Sequence, residues 1–248
     1  TSTGIGMLVA LVVLLLAFGS LVAAALPLVV AVTGLVGGLA LAFVTAVVGV
    51  AAADPAPSVP CKGCTLDVPT SIPEAGAPLL VVLHGDRERA STAAKRWRAA
   101  AKERGWVLLS LQCPVDEGCK DSWWQWNGDP AFLAAQIDRV AKDVKIDRAR
   151  IGLVGWSGGA SYLGANASGL HGYAGLVFHG GGMTGAAGCA AGQRAYFLVG
   201  DRNPLHRLAI DLRSYFDRCK AEVGWDVIEN GDHDREHRAL DRKKALAI

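Results

Sequence analysis

Charged side chains are absent from the first 53 residues of the chain, because every Lys, Arg, Asp and Glu lies after Ala53. This absence excludes one uniform globular chain, since the later residues are rich in charge and the first 53 are not. The formal net charge is only +2, and basic residues do not cluster with aromatic ones, so we expect no nucleic-acid partner. A hydrophobic content of 51% with seven Trp excludes a disordered or collagen-like chain. The sequence predicts a lipid-seeking segment followed by a water-facing domain.

The apolar segment is long enough for one or two membrane crossings, since one crossing needs about 20 apolar residues. We predict helices at 5–18 and 22–50, an apolar helical hairpin broken at Gly19-Ser20, and a lipid membrane as the partner of residues 5–50. No Lys or Arg lies beside these helices, so the positive-inside rule leaves their orientation open. The run at 11–44 resembles a membrane hairpin of RND-type lipid transporters of the MMPL group. No intramembrane carboxylate accompanies it, so we expect an anchor, a fragment or a fusion rather than a transporter.

The boundary between the two regions is rich in proline. We predict a transmembrane segment at 1–53, an extended linker at 54–60 and a polar domain at 61–248. Proline-rich linkers are stiff and extended rather than packed. The chain is therefore expected to carry its polar domain on a membrane anchor.

All six cysteines lie in the polar domain, and an even count in an exported domain suggests disulfides. The predicted pairs are Cys113 with Cys119 and Cys189 with Cys219. Cys61 and Cys64 have the C-x-x-C spacing of half a zinc site, but no second pair of ligands accompanies them. We therefore expect no metal and no cofactor, and a membrane-anchored protein whose polar domain lies outside the cytoplasm.

From residue 77 onward, short apolar runs alternate with helical stretches, which predicts an α/β fold with a mostly parallel sheet flanked by helices. The strand candidates are 79–83, 106–111, 150–154, 174–178, 195–199 and 225–229. The helix candidates are 90–104, 130–144, 158–167 and 205–222. The strand candidates are continuously apolar, as strands buried on both faces are.

The segment Gly155-Trp156-Ser157-Gly158-Gly159 fits the pattern G-x-S-x-G. It directly follows a strand candidate and precedes a helix candidate, which is the context of a nucleophile on a sharp strand-to-helix turn. There the serine hydroxyl stands at a helix N-terminus, whose dipole favours developing negative charge. The alternative is a Gly/Ser turn that merely caps a helix. We predict Ser157 as a nucleophile.

A nucleophilic serine needs a base and an orienting acid. His233 follows the last strand candidate and is the predicted base, with His237 as the alternative. The acid is expected after the strand at 195–199, where Asp201 is the nearest carboxylate. A different register of the same loop would place Asn203 there, and Asp201 would then only cap the following helix.

The oxyanion of an acyl-transfer reaction needs two backbone N–H donors. Gly158 supplies one, and the loop after the first central strand supplies the other from Gly85 or Asp86. His84 is expected to brace that loop. We also assign Trp156 to the oxyanion site or its pocket.

Trp123, Trp124 and Trp126 lie close together in sequence. They are expected either to form an aromatic wall for a substrate or to fill the core.

These motifs together resemble an α/β-hydrolase. The resemblance is carried by HGD at 84–86, GWSGG at 155–159, the GDRN loop and GDH at 231–233. The stretch SWWQWNGDPAFLAAQIDRVAKDVKIDRARIGLVGWSGG at 122–159 resembles the polyhydroxybutyrate depolymerase and feruloyl esterase group more specifically. In that group a Trp-rich element precedes a helix, an I-D-x-x-R-I element and the nucleophile strand. The likeness covers about residues 77–240.

The resemblance implies hydrolysis of a small-molecule or polymeric carboxylic ester through an acyl-serine, without metal or cofactor. It carries the nucleophile over to Ser157, the base to His233 and the acid to Asp201. The chain departs from the pattern in the register of the acid and in having HGD in place of a longer glycine run. The alternatives are a related amidase, thioesterase or peptidase, and a degenerate hydrolase domain used for binding.

Overall fold

A computed structural model describes residues 2–18, 57–115, 119–120, 122–125, 129–185, 188–189, 192–239 and 245–246. The chain separates into two units, Thr1–Asp54 and Pro55–Ile248. In the first unit, helix α1 spans Ser2–Phe18. No helix within the described ranges has the length and hydropathy needed to cross a membrane. The predicted helix at 22–50, the break at Gly19-Ser20 and part of the linker lie outside the described residues.

The second unit contains a seven-stranded sheet with the strand order β1-β3-β2-β4-β5-β6-β7. The strands are β1 Thr65–Asp67, β2 Ala77–Leu83, β3 Val107–Leu111, β4 Ile146–Trp156, β5 Gly175–His179, β6 Arg194–Gly200 and β7 Glu222–Ile228. Strand β1 is antiparallel to β3 and the other pairs are parallel. Each predicted strand overlaps one of β2–β7, whereas the three-residue β1 carries no apolar run that would predict it.

Five α-helices of this unit are described. The first four lie between β2 and β3, β3 and β4, β4 and β5, and β6 and β7, and the fifth follows β7. They are α2 Ala90–Glu103, α3 Ala131–Asp143, α4 Gly158–Ala165, α5 His206–Arg218 and α6 His233–Ala239. The first four of these overlap the predicted helices, and the predicted α/β fold class is confirmed for this unit.

The sheet is buried on both faces because side chains alternate along each strand. In β2, Leu79 and Val81 pack in one core with residues of α3, α4 and α5. Leu80 and Val82 point to the opposite face and pack with Trp97 of α2. This arrangement leaves the carboxyl ends of the parallel strands free to carry loops, as in other open α/β sheets.

Three disulfides join the cysteines of this unit. The structure contains both predicted pairs, Cys113–Cys119 and Cys189–Cys219, with Cα atoms 5.9 and 5.2 Å apart. Cys61 and Cys64 form the third disulfide, so this C-x-x-C pair is not half of a zinc site.

Candidate active site

Ser157 lies at a sharp turn between the end of β4 and the start of α4. Its backbone has a φ of +51° and a ψ of −112°, a conformation that non-glycine residues adopt at a cost in strain. A Cβ on Gly155 would lie 2.5 Å from the Cα of Ala160, and one on Gly159 would lie 2.7 Å from the carbonyl oxygen of Leu83. The two glycines therefore let β4, α4 and β2 approach closely around the half-buried serine.

His233 reaches Ser157 from the loop that follows β7. Gly200, at the end of β6, allows this loop to come close, because a Cβ there would lie 2.5 Å from the carbonyl carbon of Gly231. Oδ1 of Asp232 accepts a hydrogen bond from the backbone N–H three residues later, at 2.8 Å, and this cap lets α6 begin at His233. Nε2 of His233 then lies 2.9 Å from Oγ of Ser157. An unprotonated Nε2 at this distance can accept the hydroxyl proton.

The carboxylate of Glu236 faces the other ring nitrogen of His233. Nδ1–H of His233 donates to Oε2 of Glu236 over 3.0 Å. The carboxylate is fully buried and accepts two further hydrogen bonds, from Nδ2 of Asn203 at 2.6 Å and from the backbone N–H of Gly200. Glu236 can therefore hold the imidazole in the tautomer whose Nε2 accepts a proton, and can stabilise the imidazolium that forms.

The predicted acid, Asp201, does not occupy this position. Asp201 is exposed, whereas Asn203 is buried and its Nδ2 lies 3.0 Å from Nδ1 of His233. The structure thus has the register in which Asn203 stands where the acid was expected. A neutral amide carries no charge, and Oδ1 of Asn203 is engaged by the backbone N–H of Leu205 at 2.7 Å. The negative charge beside the imidazole comes from Glu236 instead.

Glu236 was not predicted from the sequence, because the acid was expected between Ser157 and His233 in chain order. This carboxylate follows the base by three residues on α6. Residues three apart on a helix are neighbours, so the spacing of His233 and Glu236 was the available signal.

Trp156 lies beneath the ring of His233. The two rings are stacked, with centroids 4.4 Å apart and planes 13° apart. His179 and His237 also contact the indole, with centroid distances of 4.4 and 5.1 Å. Trp156 is 8% exposed. The indole therefore packs against the imidazole of His233, and its assignment to the oxyanion site or its pocket stays a prediction.

His179, at the end of β5, links the backbones of Ser157 and Glu236. Its Nε2–H donates to the carbonyl oxygen of Glu236 over 2.7 Å, and its own carbonyl accepts the backbone N–H of Ser157 at 2.9 Å. Burial lowers the pKa of His179 to about 3. The ring is therefore neutral at physiological pH and acts as a structural donor.

The two segments expected to form the oxyanion hole lie against each other. A Cβ on Gly158, at the start of α4, would overlap the carboxyl of Asp86, of which Oδ1 is the nearest atom, so this carboxyl lies directly against Gly158. The loop that carries Gly85 and Asp86 thus borders the N-terminus of α4. The backbone N–H groups of Asp86 and Gly158 are the candidate oxyanion donors.

The loop after β2 is braced from both sides. His84 is buried, its Nδ1–H donates to the carbonyl of Gly85 at 2.7 Å, and its Nε2 accepts the backbone N–H of Cys113 at 3.1 Å. Burial lowers the pKa of His84, which favours the neutral ring that these two bonds require. The structure therefore gives His84 the bracing role expected from its place in the sequence.

A second brace, which the sequence analysis did not predict, comes from an ion pair. The backbone N–H of Gly85 donates to Oε2 of Glu88 over 3.0 Å, and the same carboxylate pairs with Arg96 of α2. The guanidinium of Arg96 lies 5.8 Å from the ring centroid of Trp156. These contacts connect the candidate oxyanion loop to the indole that stacks on His233.

The two described tryptophans of the predicted aromatic wall differ in burial, since Trp124 lies in the core and Trp123 at the surface. Trp124 is buried, donates from Nε1 to the carbonyl of His84 at 2.9 Å and packs against Tyr162. Trp123 is 38% exposed and lies beneath the guanidinium of Arg87. Trp126 lies outside the described residues. Of the two that are described, Trp123 can contact a substrate and Trp124 belongs to the core.

Solved structures with similar folds include a carboxylesterase from Bacillus cereus, with a TM-score of 0.53, 18% identity and coverage of 74% of this chain and 90% of that one. A phospholipase/carboxylesterase from Dyadobacter fermentans has a TM-score of 0.53 and 16% identity, over 76% and 97% of the two chains. A putative dienelactone hydrolase from Klebsiella pneumoniae has a TM-score of 0.54 and 14% identity, over 77% and 91%. At these identities the similarity establishes the fold, which is α/β-hydrolase-like.

No family model matches the sequence, and no curated protein matches it either. The finer resemblances, to the polyhydroxybutyrate depolymerase group and to the MMPL hairpin, stay predictions.

Proposed function

We propose that this protein hydrolyses carboxylic esters through an acyl-serine intermediate. The proposal is carried by the 2.9 Å contact between Oγ of Ser157 and Nε2 of His233, which occurs on a strained strand-to-helix turn. Glu236 completes a Ser-His-Glu triad. The fold supports the proposal, because the carboxylesterases compared above share it.

In the first half of the reaction, Oγ of Ser157 attacks the ester carbonyl carbon as its proton passes to Nε2 of His233. The carbonyl oxygen becomes an oxyanion facing the backbone N–H groups of Gly158 and Asp86. Glu236 stabilises the imidazolium through Nδ1–H. His233 then protonates the leaving alcohol, the C–O bond breaks, and the acyl group remains on Ser157.

In the second half, a water molecule replaces the alcohol. His233 accepts a proton from this water as its oxygen attacks the acyl carbon, and a second oxyanion forms at the same donors. The intermediate collapses when the imidazolium returns its proton to Oγ of Ser157, which releases the carboxylic acid. Every step uses side chains and backbone groups of this chain, in the order that microscopic reversibility requires.

The substrate is proposed to be a small-molecule ester or a polymer end. A groove of about 980 Å³, within the size range of ligand sites, opens at the carboxyl end of β3 and is lined by Gln112 among others. Nε2 of Gln112 lies 3.1 Å from Nε2 of His84, the residue that braces the candidate oxyanion loop. Ser157, His233 and Glu236 are not among the residues that line this groove, so it adjoins the brace of the candidate oxyanion loop rather than the proposed reaction centre.

The test compares the full chain with its Ser157→Ala variant, using a fluorophosphonate probe and short-chain p-nitrophenyl esters. We expect labelling and turnover in the wild type and neither in Ser157→Ala. Ser214→Ala is the matched control and should behave as the wild type, since the hydroxyl of Ser214 donates to the carbonyl of Ile210 on α5. A folded wild-type chain that is neither labelled nor active would contradict the proposal and favour a binding role.

We also propose that residues 1–53 hold the catalytic domain at a lipid membrane, outside the cytoplasm. The segment is free of charge, and Ile5 and Leu8 of α1 are 68% and 67% exposed. The three disulfides favour an oxidising compartment. The full chain should float with phosphatidylcholine vesicles in a density gradient, and the Leu8→Lys/Val12→Lys variant should float less. A wild-type chain that stays in the dense fraction would contradict the anchor.

A further inference from the structure

The side chain of Asp86 occupies an unusual place for a carboxyl group. It stands on the loop proposed to supply one oxyanion donor and lies directly against Gly158, which supplies the other. The two backbone N–H groups would stabilise a negative charge, yet the side chain that lies against Gly158 is itself an acid. Any charge on this carboxyl therefore acts on the charge that develops in the reaction.

One oxygen of this carboxyl has a partner and the other does not. The backbone N–H of Trp124 hydrogen-bonds to the carboxyl. Oδ1 is buried and has no hydrogen-bond partner among the described residues. A buried polar atom without a partner costs free energy, and at a reaction centre it calls for an explanation.

The titratable neighbours do not supply the missing partner. On the same loop, His84 and Glu88 are bonded elsewhere, and Glu88 is paired with Arg96 of α2. Arg87 acts on the carboxyl by its charge but is directed over Trp123. Helix α4 meets the carboxyl with Gly158, which has no side chain. On α6, His233 is committed to Ser157 and Glu236.

We propose that the protonated carboxyl of Asp86 is a third donor to the oxyanion, so that it is a catalytic residue of the ester hydrolysis proposed above, on which this inference rests. An ionised carboxylate next to the hole would repel the oxyanion, whereas a neutral carboxylic acid offers it an O–H. Oδ1 is the oxygen free to carry that proton, because Trp124 N–H engages the carboxyl on its other side.

The proton of Asp86 is shared with the oxyanion and is not consumed. The hydrogen bond from the Asp86 O–H to the substrate oxygen becomes stronger as negative charge develops on that oxygen. The proton stays with Asp86 when the carbonyl re-forms. The proton transferred from Ser157 still travels through His233. The step therefore needs no additional reactant and leaves the balance of the reaction unchanged.

The surroundings of Asp86 shift its carboxyl toward the neutral form. Burial raises the pKa of Asp86 above its ordinary value, although the Trp124 N–H and the Arg87 charge oppose the shift. The proposed role itself requires a protonated Asp86, so kcat/KM should fall at high pH as this carboxyl ionises. The need for an unprotonated base gives the rise at low pH, so the profile should be bell-shaped.

The test uses the full chain with two substitutions of nearly equal size. Asp86→Asn keeps an acceptor for the Trp124 N–H and places an amide donor, without charge or titration, where Oδ1 stands. Asp86→Leu keeps the shape and removes both charge and donor. Asp147→Asn, at a half-buried carboxylate paired with Arg150, is the matched control and should keep the wild-type profile. Thermal unfolding of each variant separates loss of fold from loss of rate.

We expect the wild-type profile to fall at high pH, and the Asp86→Asn profile to rise and then stay flat. Asp86→Leu should also lose the fall, with a plateau about tenfold to a hundredfold below that of Asp86→Asn, because one oxyanion donor is missing. Equal plateaus for the Asn and Leu variants would overturn the proposal, because the side chain would then give no hydrogen bond. So would a wild-type profile without the fall.

The same assays distinguish this failure from failure of the proposed function. If Ser157→Ala loses fluorophosphonate labelling and turnover while the Asp86 variants behave alike, the hydrolase stands and the role of Asp86 is wrong. If Ser157→Ala remains active, the proposed function itself is wrong, and the profiles of the Asp86 variants no longer bear on an oxyanion.

Discussion

At the scale of single residues, the carboxylate beside the imidazole of His233 comes from α6, the helix that begins at His233. Glu236 is one turn after His233 on α6, and its side chain turns into the interior, where Asn203 and Gly200 donate to it. A buried charge is tolerated when several donors surround it. Asn203, from the loop after β6, thus helps to hold the acid although it cannot replace it.

Glu236→Gln should lower kcat/KM strongly, because the amide keeps the shape but removes the charge that stabilises the imidazolium. Loss of this partner costs up to about 10⁴-fold in well-studied triads, and we expect a loss of at least about a hundredfold in p-nitrophenyl ester hydrolysis. Asp201→Asn is the matched control at the exposed carboxylate and should retain the wild-type rate. If Asp201→Asn were the damaging change, the acid would be misassigned.

His179 makes the stability of the chain depend on pH. Its folded-state pKa of about 3 lies below the ordinary value of about 6.5, so the unfolded chain binds the proton first. The contribution is fully present above pH 6.5 and is lost as the pH falls toward 3, with a slope of at most about 1.4 kcal/mol per pH unit.

The measurement is the free energy of unfolding in urea between pH 7 and pH 4, for the wild type and for His179→Asn. The variant is expected to be less stable at pH 7 but to lose less stability on acidification. His84 and His237, whose pKa values burial also lowers, are present in both proteins and cancel in the difference. Identical slopes would show that His179 does not titrate on unfolding.

At the scale of elements, the turn from β4 to α4 depends on the absence of side chains at its glycines. The helix crosses so close to the strand that Gly155 has no space for a methyl group. The neighbouring atoms belong to the backbone of α4, so they cannot move aside as a flexible side chain could.

Gly155→Ala should therefore destabilise the fold by about 1–3 kcal/mol, the range for overpacking a well-packed site, and should also reduce activity by displacing Ser157. Gly172→Ala is the control, because a Cβ at Gly172 meets no atom within 4 Å and its φ is not positive. Chemical denaturation measures both. A Gly155→Ala variant as stable as Gly172→Ala would mean that β4 and α4 can separate at little cost.

At the scale of the whole molecule, the disulfide Cys189–Cys219 joins the loop after β5 to the end of α5. Its cysteines are 30 residues apart in sequence, against 3 for Cys61–Cys64. A crosslink restricts the unfolded chain more when the loop it closes is longer. Cys189–Cys219 should therefore contribute more to the free energy of unfolding than Cys61–Cys64.

Replacing Cys189 and Cys219 by Ala is expected to lower the free energy of unfolding by about 3–4 kcal/mol. The paired Ala replacement of Cys61 and Cys64 should cost about 2 kcal/mol on the same argument. Urea unfolding of the two variants under non-reducing conditions measures the difference. A larger loss from the short loop would show that local packing at that loop, rather than loop entropy, dominates.

The sequence by itself determined mainly local structure, namely the strands and the turn that carries Ser157. Continuous apolar runs indicated β2–β7, and the glycines around Ser157 indicated the turn after β4, because these features depend on side-chain periodicity and backbone sterics. The place of His233 after the last strand followed from the order of the elements. The structure brings Ser157 and His233 within hydrogen-bonding distance.

Only the tertiary structure decided which carboxylate faces His233, which tryptophan is buried and which side chain lies against Gly158. Asp201, in the loop after β6, and Glu236, three residues after His233, were both available as carboxylates. Trp123 and Trp124 are adjacent in sequence. Their roles diverge because each depends on the direction of one side chain and on donors from distant strands, which no local pattern encodes. The proposed role of Asp86 as an oxyanion donor depends in the same way on tertiary structure, because Asp86 contacts Gly158 from about 70 residues away in sequence.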